Sequence, residues 1–484
     1  MRPLFAILCV GLLLNSRYAF ATDYVWVIGG GPNPTESQAQ IESNVNWVIQ
    51  ILKKYPGKRK LRVFFAAGRK PLKDVVAWRP PKESSASLQP LARVFGDTMA
   101  NGNHYYRQQV PDVVGSTDAN ELKMRLEQEF SRLKPGDRAL IIYNGHGSYN
   151  YSDDTSRNAL RLWNNTHISA RTMYRIMKRI NPKVPVRFVF TQCFAGAFDR
   201  LVHPHAEDRL ALGKSDRCGF FAVSPYKESE GCSPSVKVGD YRDYTTYFFA
   251  ALKGRTRTGA PLPVNPDLNH DGTVSLYEAH LYALSQAHST DMPRSTSEVF
   301  LERWQPWYLR WVDTGAEPDN VYGRLAREVA KNNGLPQSGH ALVRAISVRR
   351  RELVRRKDRL KLEKRSLKRV IRLLQGKIQG RIAMRWPGAL SPYTRNFVHF
   401  LNKDLNAAQN FILADRDYPD LVAMQNRRFD INNDLLDINR DITQLNKIER
   451  LRQLARLKYE FDRHASAQDR AWYHRLLSCE ELPL

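Results

Sequence analysis

Residues 186–196 read VRFVFTQCFAG, and residues 139–147 read ALIIYNGHG. Each stretch begins as a short run of β-branched and aromatic residues, which is typical of a buried parallel strand. One run ends at Cys193 and the other at His146, and glycine follows closely in both. The carboxyl ends of neighbouring parallel strands lie at one edge of an open α/β sheet, where ligands collect. The two stretches therefore predict that Cys193 and His146 lie close together in space.

This pair of side chains suits nucleophilic catalysis. A cysteine must become a thiolate to attack a carbonyl, and its free pKa of about 8.5 leaves it mostly protonated at neutral pH. His146 can accept the proton, and backbone N–H groups beside Gly147 and Cys193 can hold the resulting oxyanion. The alternative is that Cys193 is a small core residue and His146 a hydrogen-bonded polar residue. The repeated order of strand, reactive residue and glycine favours catalysis.

The two strand ends resemble those of the caspase-like cysteine peptidases, which include caspases, metacaspases, legumains and bacterial relatives. The resemblance covers about residues 24–313. It implies a dyad of Cys193 as nucleophile and His146 as its partner. It also implies a caspase-type α/β fold, a mostly parallel sheet with helices on both faces. Caspases carry Gln-Ala-Cys and legumains Glu-Ala-Cys where this chain has Thr191-Gln192-Cys193, so substrate preference is not carried over.

In this family the loop after the strand at 219–223 helps to build the pocket for the residue before the cleaved bond. Here the loop contains Glu228 and Glu230, Asp240 follows it, and Thr191 stands two residues before the cysteine. An acidic pocket would favour cleavage after Lys or Arg. The alternative is that these carboxylates are simply solvated.

The first 21 residues have the order of a secretory signal: Arg2, an apolar run at 4–14, and Ala-Phe-Ala at 19–21. We therefore expect a secreted or periplasmic protein. In such an oxidising compartment the cysteines left beside Cys193 are enough for one disulfide. We expect it between Cys218 and Cys232, the pair closest in sequence.

Residues 267–278 read DLNHDGTVSLYE and match the 12-residue EF-hand calcium loop. Oxygen-bearing side chains at alternate positions can point at one centre, and a glycine at the sixth position permits the sharp turn. The expected ligands are Asp267, Asn269, Asp271, Thr273 and Glu278. We expect a structural or regulatory calcium ion, and the alternative is an ordinary acidic turn before a capped helix.

From about residue 316 to 484 the composition changes to that of a basic, helical domain. Apolar residues recur every seven positions at Ile346, Leu353, Leu360, Leu367 and Leu374, and a partner pattern follows at 435–461. The pattern predicts a helical hairpin or small bundle. The segment Arg344–Arg381 carries about half of the net charge of +26. An anionic membrane surface, an acidic polymer or non-specifically bound nucleic acid is the expected partner, and a solvated helix face is the alternative.

Taken together, the sequence predicts a signal peptide at 1–21, a peptidase domain at 22–315 and a basic helical domain at 316–484. The expected function is an exported cysteine endopeptidase that cleaves proteins or peptides, and a preference for Lys or Arg would allow it to process itself within its own basic segment. The first alternative is a catalytically silent scaffold that binds through the helical domain. The second is a Cys-His acyltransferase or amidase, because the same dyad serves that chemistry.

Overall fold

The computed structural model describes residues 22–55, 59–80, 88–96, 102–307 and 318–484. The signal peptide expected at 1–21 and the domain boundary expected at 315 lie outside the described residues. Within the described part of the chain, no helix is both long enough and apolar enough to span a bilayer.

A mostly parallel sheet forms the centre of the first part of the chain. The strands in the described residues are β1 Asp23–Gly30, β2 Arg59–Phe65, β3 Val75–Trp78, β4 Asn103–Tyr106, β5 Val113–Gly115, β6 Arg138–Ser148, β7 Ala159–Leu162, β8 Thr166–Ser169, β9 Val186–Phe190, β10 Arg217–Phe221 and β11 Arg294–Ser295. The main order is β11-β10-β9-β6-β1-β2-β5, with β7 and β8 attached to the end of β6. Strands β5, β2, β1, β6, β9 and β10 pair in parallel. Strands β3 and β4 form a separate antiparallel pair.

Helices cover this sheet and then make up the rest of the chain. They are α1 Ala39–Lys54, α2 Gln89–Phe95, α3 Ala119–Phe130, α4 Ala170–Met177, α5 Tyr244–Lys253, α6 Leu276–Gln286, α7 Thr296–Trp304, α8 Val321–Asn332, α9 Gly339–Arg385, α10 Arg395–His399, α11 Leu405–Leu413, α12 Tyr418–His464 and α13 Ala467–Glu480. Helix α1 packs with α5, and α3 packs with α4. All five residues of β9 are buried, which requires that both faces of the sheet are covered. The expected fold class is confirmed.

The expected helical hairpin is also confirmed. Helices α9 and α12 pack against each other and have 47 residues each. At a rise of 1.5 Å per residue, each is about 70 Å long. The five apolar residues of the predicted seven-residue repeat are all buried: Ile346, Leu353, Leu360, Leu367 and Leu374. Helix α12 also packs against α7 and α8, which joins the hairpin to the sheet.

The expected disulfide between Cys218 and Cys232 is wrong. Cys218 is fully buried in β10 and is bonded to Cys479 of α13, with an S–S distance of 2.00 Å. Helix α13 packs on β10, so it brings Cys479 to that strand across 261 residues of sequence. Cys232 is a free thiol, and its sulfur lies 3.9 Å from the carbonyl oxygen of Gly145.

The end of the chain is anchored to the sheet at several points beside this disulfide. The Glu480 carboxylate accepts hydrogen bonds from the Ser297 N–H at 2.7 Å and from the Thr296 hydroxyl at 2.6 Å, at the start of α7. Arg187 of β9 donates to the Pro483 carbonyl at 2.6 Å. The C-terminal residues are therefore part of the sheet domain, although the helical hairpin precedes them in sequence.

Candidate active site

Strand register brings the two predicted catalytic residues to the same edge of the sheet. Strands β6 and β9 are adjacent and parallel, with Tyr143 opposite Phe190. His146 and Cys193 each lie three residues beyond that pair. A Cβ atom at Gly147 would lie 2.0 Å from the Cys193 carbonyl oxygen, so only glycine permits this close approach.

The hydrogen bonds of His146 define which ring nitrogen is basic. Its Nε2 lies 2.8 Å from the backbone oxygen of Glu36 and 2.8 Å from Oε1 of Gln38. A carbonyl oxygen can only accept, so Nε2 carries the proton and donates it, which leaves the lone pair on Nδ1. Arg161 forms an ion pair with the Glu36 side chain at 2.5 Å and holds this segment in place. Burial lowers the pKa of His146, so the ring is neutral at pH 7.

Cys193 lies against Ser229. The backbone N–H of Ser229 donates to the Cys193 sulfur at 3.3 Å. Burial raises the pKa of Cys193, and the carboxylates of Glu228 and Asp291 raise it further, although the Ser229 hydrogen bonds oppose them. Within the described residues no hydrogen bond joins Cys193 to His146. The resting pair is therefore a neutral thiol beside a neutral imidazole.

This charge state predicts the pH dependence of Cys193 alkylation. In the substrate-free protein we expect the rate with iodoacetamide to keep rising beyond pH 8.5, the ordinary thiol pKa being about 8.5. A thiolate–imidazolium pair would instead react at a constant rate from about pH 5 upward, because its thiol pKa is depressed. Mass spectrometry of the Cys193 peptide measures the rate site by site. A plateau below pH 7 would contradict the neutral pair.

The backbone after Cys193 has an unusual conformation. Phe194 has φ of +60°, in the left-handed region, and its N–H donates to the Lys227 carbonyl at 2.8 Å. The Cys193 N–H donates to no acceptor in the described part of the chain. Gly147, the other expected oxyanion donor, lies opposite Leu160 in the β6–β7 pair. The Cys193 amide is therefore the better placed oxyanion donor of the two.

A buried polar network fixes the two strand ends to each other. The Asn144 amide donates to Oγ1 of Thr191 at 2.9 Å and to Oγ1 of Thr245 at 2.7 Å. Asn44 links Asn144 to the buried Asp243 carboxylate, at 3.3 Å and 2.8 Å. Thr191 therefore takes part in this network and does not line the substrate pocket, which corrects its expected role. Its hydroxyl is used to hold β9 against β6.

A cleft beside Cys193 is the natural place for a substrate. It has a volume of about 1420 Å³ and includes Glu228, Ser229, Glu230 and Asp240, which lie in or follow the loop after β10. Ser229 is also the residue in contact with the Cys193 sulfur. Helix α12 forms the opposite wall with Phe429, Asn433, Leu436, Asp437, Asn439, Arg440, Ile442, Thr443 and Asn446. The helical hairpin is thus a wall of the cleft.

Glu230 is already paired within the chain. Nε of Arg440 on α12 lies 3.1 Å from Oε1 of Glu230. The Thr290 N–H and the Ser289 hydroxyl donate to Oε2 at 3.0 and 3.1 Å. Burial alone would raise the pKa of Glu230, but the hydrogen bonds and the charge of Arg440 lower it, so it is ionised. Its charge is neutralised by Arg440, whereas Glu228 and Asp240 are exposed on the cleft.

No protein-family profile matches this chain, and no curated protein matches it. Among solved structures, it is similar to a crystal structure of a protein from Geobacter sulfurreducens. The identity is 10% and the TM-score 0.34, over 57% of this chain and 92% of the other. It is also similar to the crystal structure of the Drosophila initiator caspase Dronc. Here the identity is 9% and the TM-score 0.29, over 57% of this chain and 78% of the other. Similarities this low do not bear on function, so the proposals below depend on the geometry of the site.

The loop predicted to bind calcium has a tight, hydrogen-bonded backbone. His270 and Gly272 have φ of +60° and +85°, and the Gly272 N–H donates to Oδ2 of Asp267 at 3.0 Å. Oδ1 of Asp267 is buried and has no hydrogen-bond partner. An unpartnered carboxylate oxygen in a loop of oxygen-bearing side chains fits a hard cation such as calcium.

Glu278 differs from its expected role as a ligand. One of its oxygens accepts from the N–H groups of Leu268 and Asn269, and the other accepts from Ser275, with which it forms a capping box. Among the described residues, no group of three His, Cys, Asp or Glu side chains converges as a metal site. The oxygen atoms left for a cation in this loop are those of Asp267, Asn269, Asp271 and Thr273, and Glu278 closes the loop onto α6.

Several site residues were not identified from the sequence. They are Glu36, Gln38, Asn144, Ser229 and Arg440. The sequence pattern could have identified Asn144, because a polar residue near the end of an apolar strand must find buried hydrogen-bond partners. No sequence pattern could have identified Arg440 as the partner of Glu230, since the two lie 210 residues apart in sequence.

Proposed function

We propose that this protein is an exported cysteine endopeptidase of the caspase-like type, with Cys193 as nucleophile and His146 as general base and acid. One observation supports this most strongly. A half-buried thiol and an imidazole whose Nε2 is held by a backbone carbonyl lie at the ends of adjacent parallel strands, and Phe194 and Ser229, which adjoin the thiol, line a large cleft. The hydrogen bond at Nε2, the shared edge of the sheet and the neighbouring cleft are not required of a core cysteine and a structural histidine.

The proposed reaction begins when an extended peptide enters the cleft. As the Cys193 sulfur attacks the scissile carbonyl, Nδ1 of His146 takes the thiol proton. The carbonyl oxygen becomes an oxyanion, which the Cys193 N–H stabilises. The intermediate collapses, the C–N bond breaks, and His146 returns the proton to the leaving amine. Water then hydrolyses the thioester, with His146 again accepting a proton and Cys193 leaving as the thiol.

Cleavage after Lys or Arg is the proposed preference, supported by the exposed carboxylates of Glu228 and Asp240 on the cleft. Glu230 contributes little free charge because Arg440 neutralises it. A panel of peptides that differ only at the residue before the cleaved bond tests this preference. Mass spectrometry of the incubated protein detects self-processing, for which α9 offers many exposed Lys and Arg residues.

Labelling by peptidyl acyloxymethyl ketones tests the activity. The wild-type protein should be labelled at Cys193, and Cys193→Ala should abolish labelling. Cys232→Ser is the matched control, because it removes the other free thiol of the described residues, and it should be labelled like the wild type. If no probe with a basic, acidic or Asn residue labels Cys193, the scaffold that binds through its helical hairpin becomes the better hypothesis.

Calcium binding by the loop at 267–278 is a separate proposal. With a dissociation constant of about 10⁻⁴ to 10⁻³ M, about 10 mM calcium should stabilise the protein by roughly 1–3 kcal/mol and raise its Tm. Asp271 is exposed, so Asp271→Ala should remove the calcium-dependent shift without unfolding the protein. Asp153→Ala, at another exposed aspartate, is the control. An equal shift in both variants would exclude the loop as the site.

Export is proposed from the first 21 residues, and the disulfide between Cys218 and Cys479 supports it. Disulfides persist mainly in oxidising compartments. Cell fractionation and N-terminal sequencing of the mature protein test the proposal.

A further inference from the structure

The end of the helical hairpin exposes apolar side chains that nothing in the described chain covers. We call residues 384–404, which follow the long part of α9, the hairpin tip. Its exposed large apolar residues are Met384, Leu390, Tyr393, Val398 and Leu401. Tyr393 is fully exposed and Met384 is 80% exposed. Five large exposed apolar side chains within 18 residues of sequence are typical of an interaction site.

The tip is amphipathic and is not an unfolded end. Phe400 of the tip is buried, as are Ala408 and Ile412 of the following helix α11. Trp386 packs edge-on against Phe411 with ring centroids 5.6 Å apart. These inner residues are thus packed within the chain, and the exposed apolar residues are not part of that packing.

The charge near these exposed apolar residues is mainly positive, with Asp404 as the one acidic residue of the tip. Between Glu363 and Asp404 the sequence has ten Lys and Arg residues and no Asp or Glu. Within the tip, Arg385, Arg395 and Lys403 are exposed next to the apolar side chains. Their charges make the tip complementary to an anionic surface.

The tip also lies at the far end of a long, rigid support. Shortly before the tip, α9 contacts α2 of the sheet domain. Gln375 and Gln379 of α9 donate to the carbonyls of Arg93 and Val94 at 2.8 and 2.7 Å. The tip begins just beyond this contact. A surface bound by the tip therefore need not cover the cleft, which lies near Arg440 on α12.

We propose that the hairpin tip docks on the surface of a lipid bilayer that contains anionic lipids. The apolar side chains enter the interface between head groups and acyl chains, and Arg385, Arg395 and Lys403 contact the lipid phosphates. A second copy of the chain fits less well, because each tip has three Lys or Arg side chains and a single acidic one, so two tips would repel each other. Nucleic acid would use the cations but gives no reason for the exposed apolar residues.

Vesicle co-sedimentation of the full mature chain tests the proposal. The probes are phosphatidylcholine vesicles with and without about 30% phosphatidylglycerol. We expect binding only to the anionic vesicles, weakened by salt. The variant Tyr393→Ser/Val398→Ser/Leu401→Ser should bind at least about tenfold more weakly. Met124→Ser, at an exposed apolar residue of α3, should bind like the wild type.

The charge variant Arg395→Glu/Lys403→Glu gives a second test that leaves the apolar residues intact. It should also lose at least about tenfold in vesicle binding, and thermal unfolding like that of the wild type shows that each variant is folded. Undiminished vesicle binding by both variants would overturn the proposal. So would a dimer without vesicles that the triple variant abolishes, because the tip would then bind a second copy. Tighter binding to duplex DNA than to vesicles, unchanged in the triple variant, would also reject it.

Discussion

His146→Ala is expected to lower kcat/KM for peptide hydrolysis by about 10²- to 10⁴-fold, the usual contribution of a positioned general base. The reason is the resting charge state of the dyad. Burial raises the pKa of the Cys193 thiol, so in the proposed mechanism the thiolate is not formed in advance and depends on His146 at the moment of attack. The measurement is steady-state hydrolysis of the best peptide of the panel.

Gln38→Ala is the companion variant for this prediction. It removes one of the two hydrogen bonds to Nε2 of His146 but leaves the Glu36 carbonyl in place. One hydrogen bond contributes roughly 1 kcal/mol, so the loss should be about tenfold or less. If His146→Ala were as active as Gln38→Ala, His146 would be a structural residue and the proposed mechanism would be wrong.

Loss of the disulfide between Cys218 and Cys479 is expected to destabilise the protein by roughly 2–5 kcal/mol, the usual range for a native disulfide that closes a long loop. The loop spans 261 residues, so the bond restricts a large part of the unfolded chain. Cys218→Ala and Cys479→Ala should each lower the Tm in thermal unfolding.

The double variant distinguishes the stability contributed by the disulfide bond from that contributed by side-chain packing at the two positions. Cys218→Ala/Cys479→Ala should be about as stable as the less stable single variant, because either substitution already breaks the bond. Cys232→Ser should leave the Tm nearly unchanged, since Cys232 is not bonded. Additive losses in the double variant would mean that packing of the two side chains, and not the bond, stabilises the fold.

The sequence was sufficient for the local elements that carry the site. The apolar runs that became β6 and β9 predicted two buried strands, and the seven-residue repeat predicted the hairpin, because such patterns depend on nearby residues. The convergence of Cys193 and His146 followed from a rule about parallel sheets. Their hydrogen-bond partners were not predicted, since Glu36, Gln38 and Ser229 come from other loops.

Contacts across long sequence separations were not predictable in this way. Cys232 is the cysteine nearest to Cys218 in sequence, but α13 returns to β10 and places Cys479 there. Glu230 was expected to be a free pocket charge, but α12 brings Arg440 to it. Both depend on how the hairpin packs on the sheet, which no local pattern in the sequence specifies.

Beyond the helical hairpin, the C-terminus returns to the sheet. Because Cys479, Glu480 and Pro483 are fixed to β10, α7 and β9, the hairpin is topologically an insertion and not a tail. A single cut in the basic part of α9 would release neither fragment. The product would be a two-chain protein, held together by the disulfide and by the α9–α12 packing. Both walls of the cleft would remain in place.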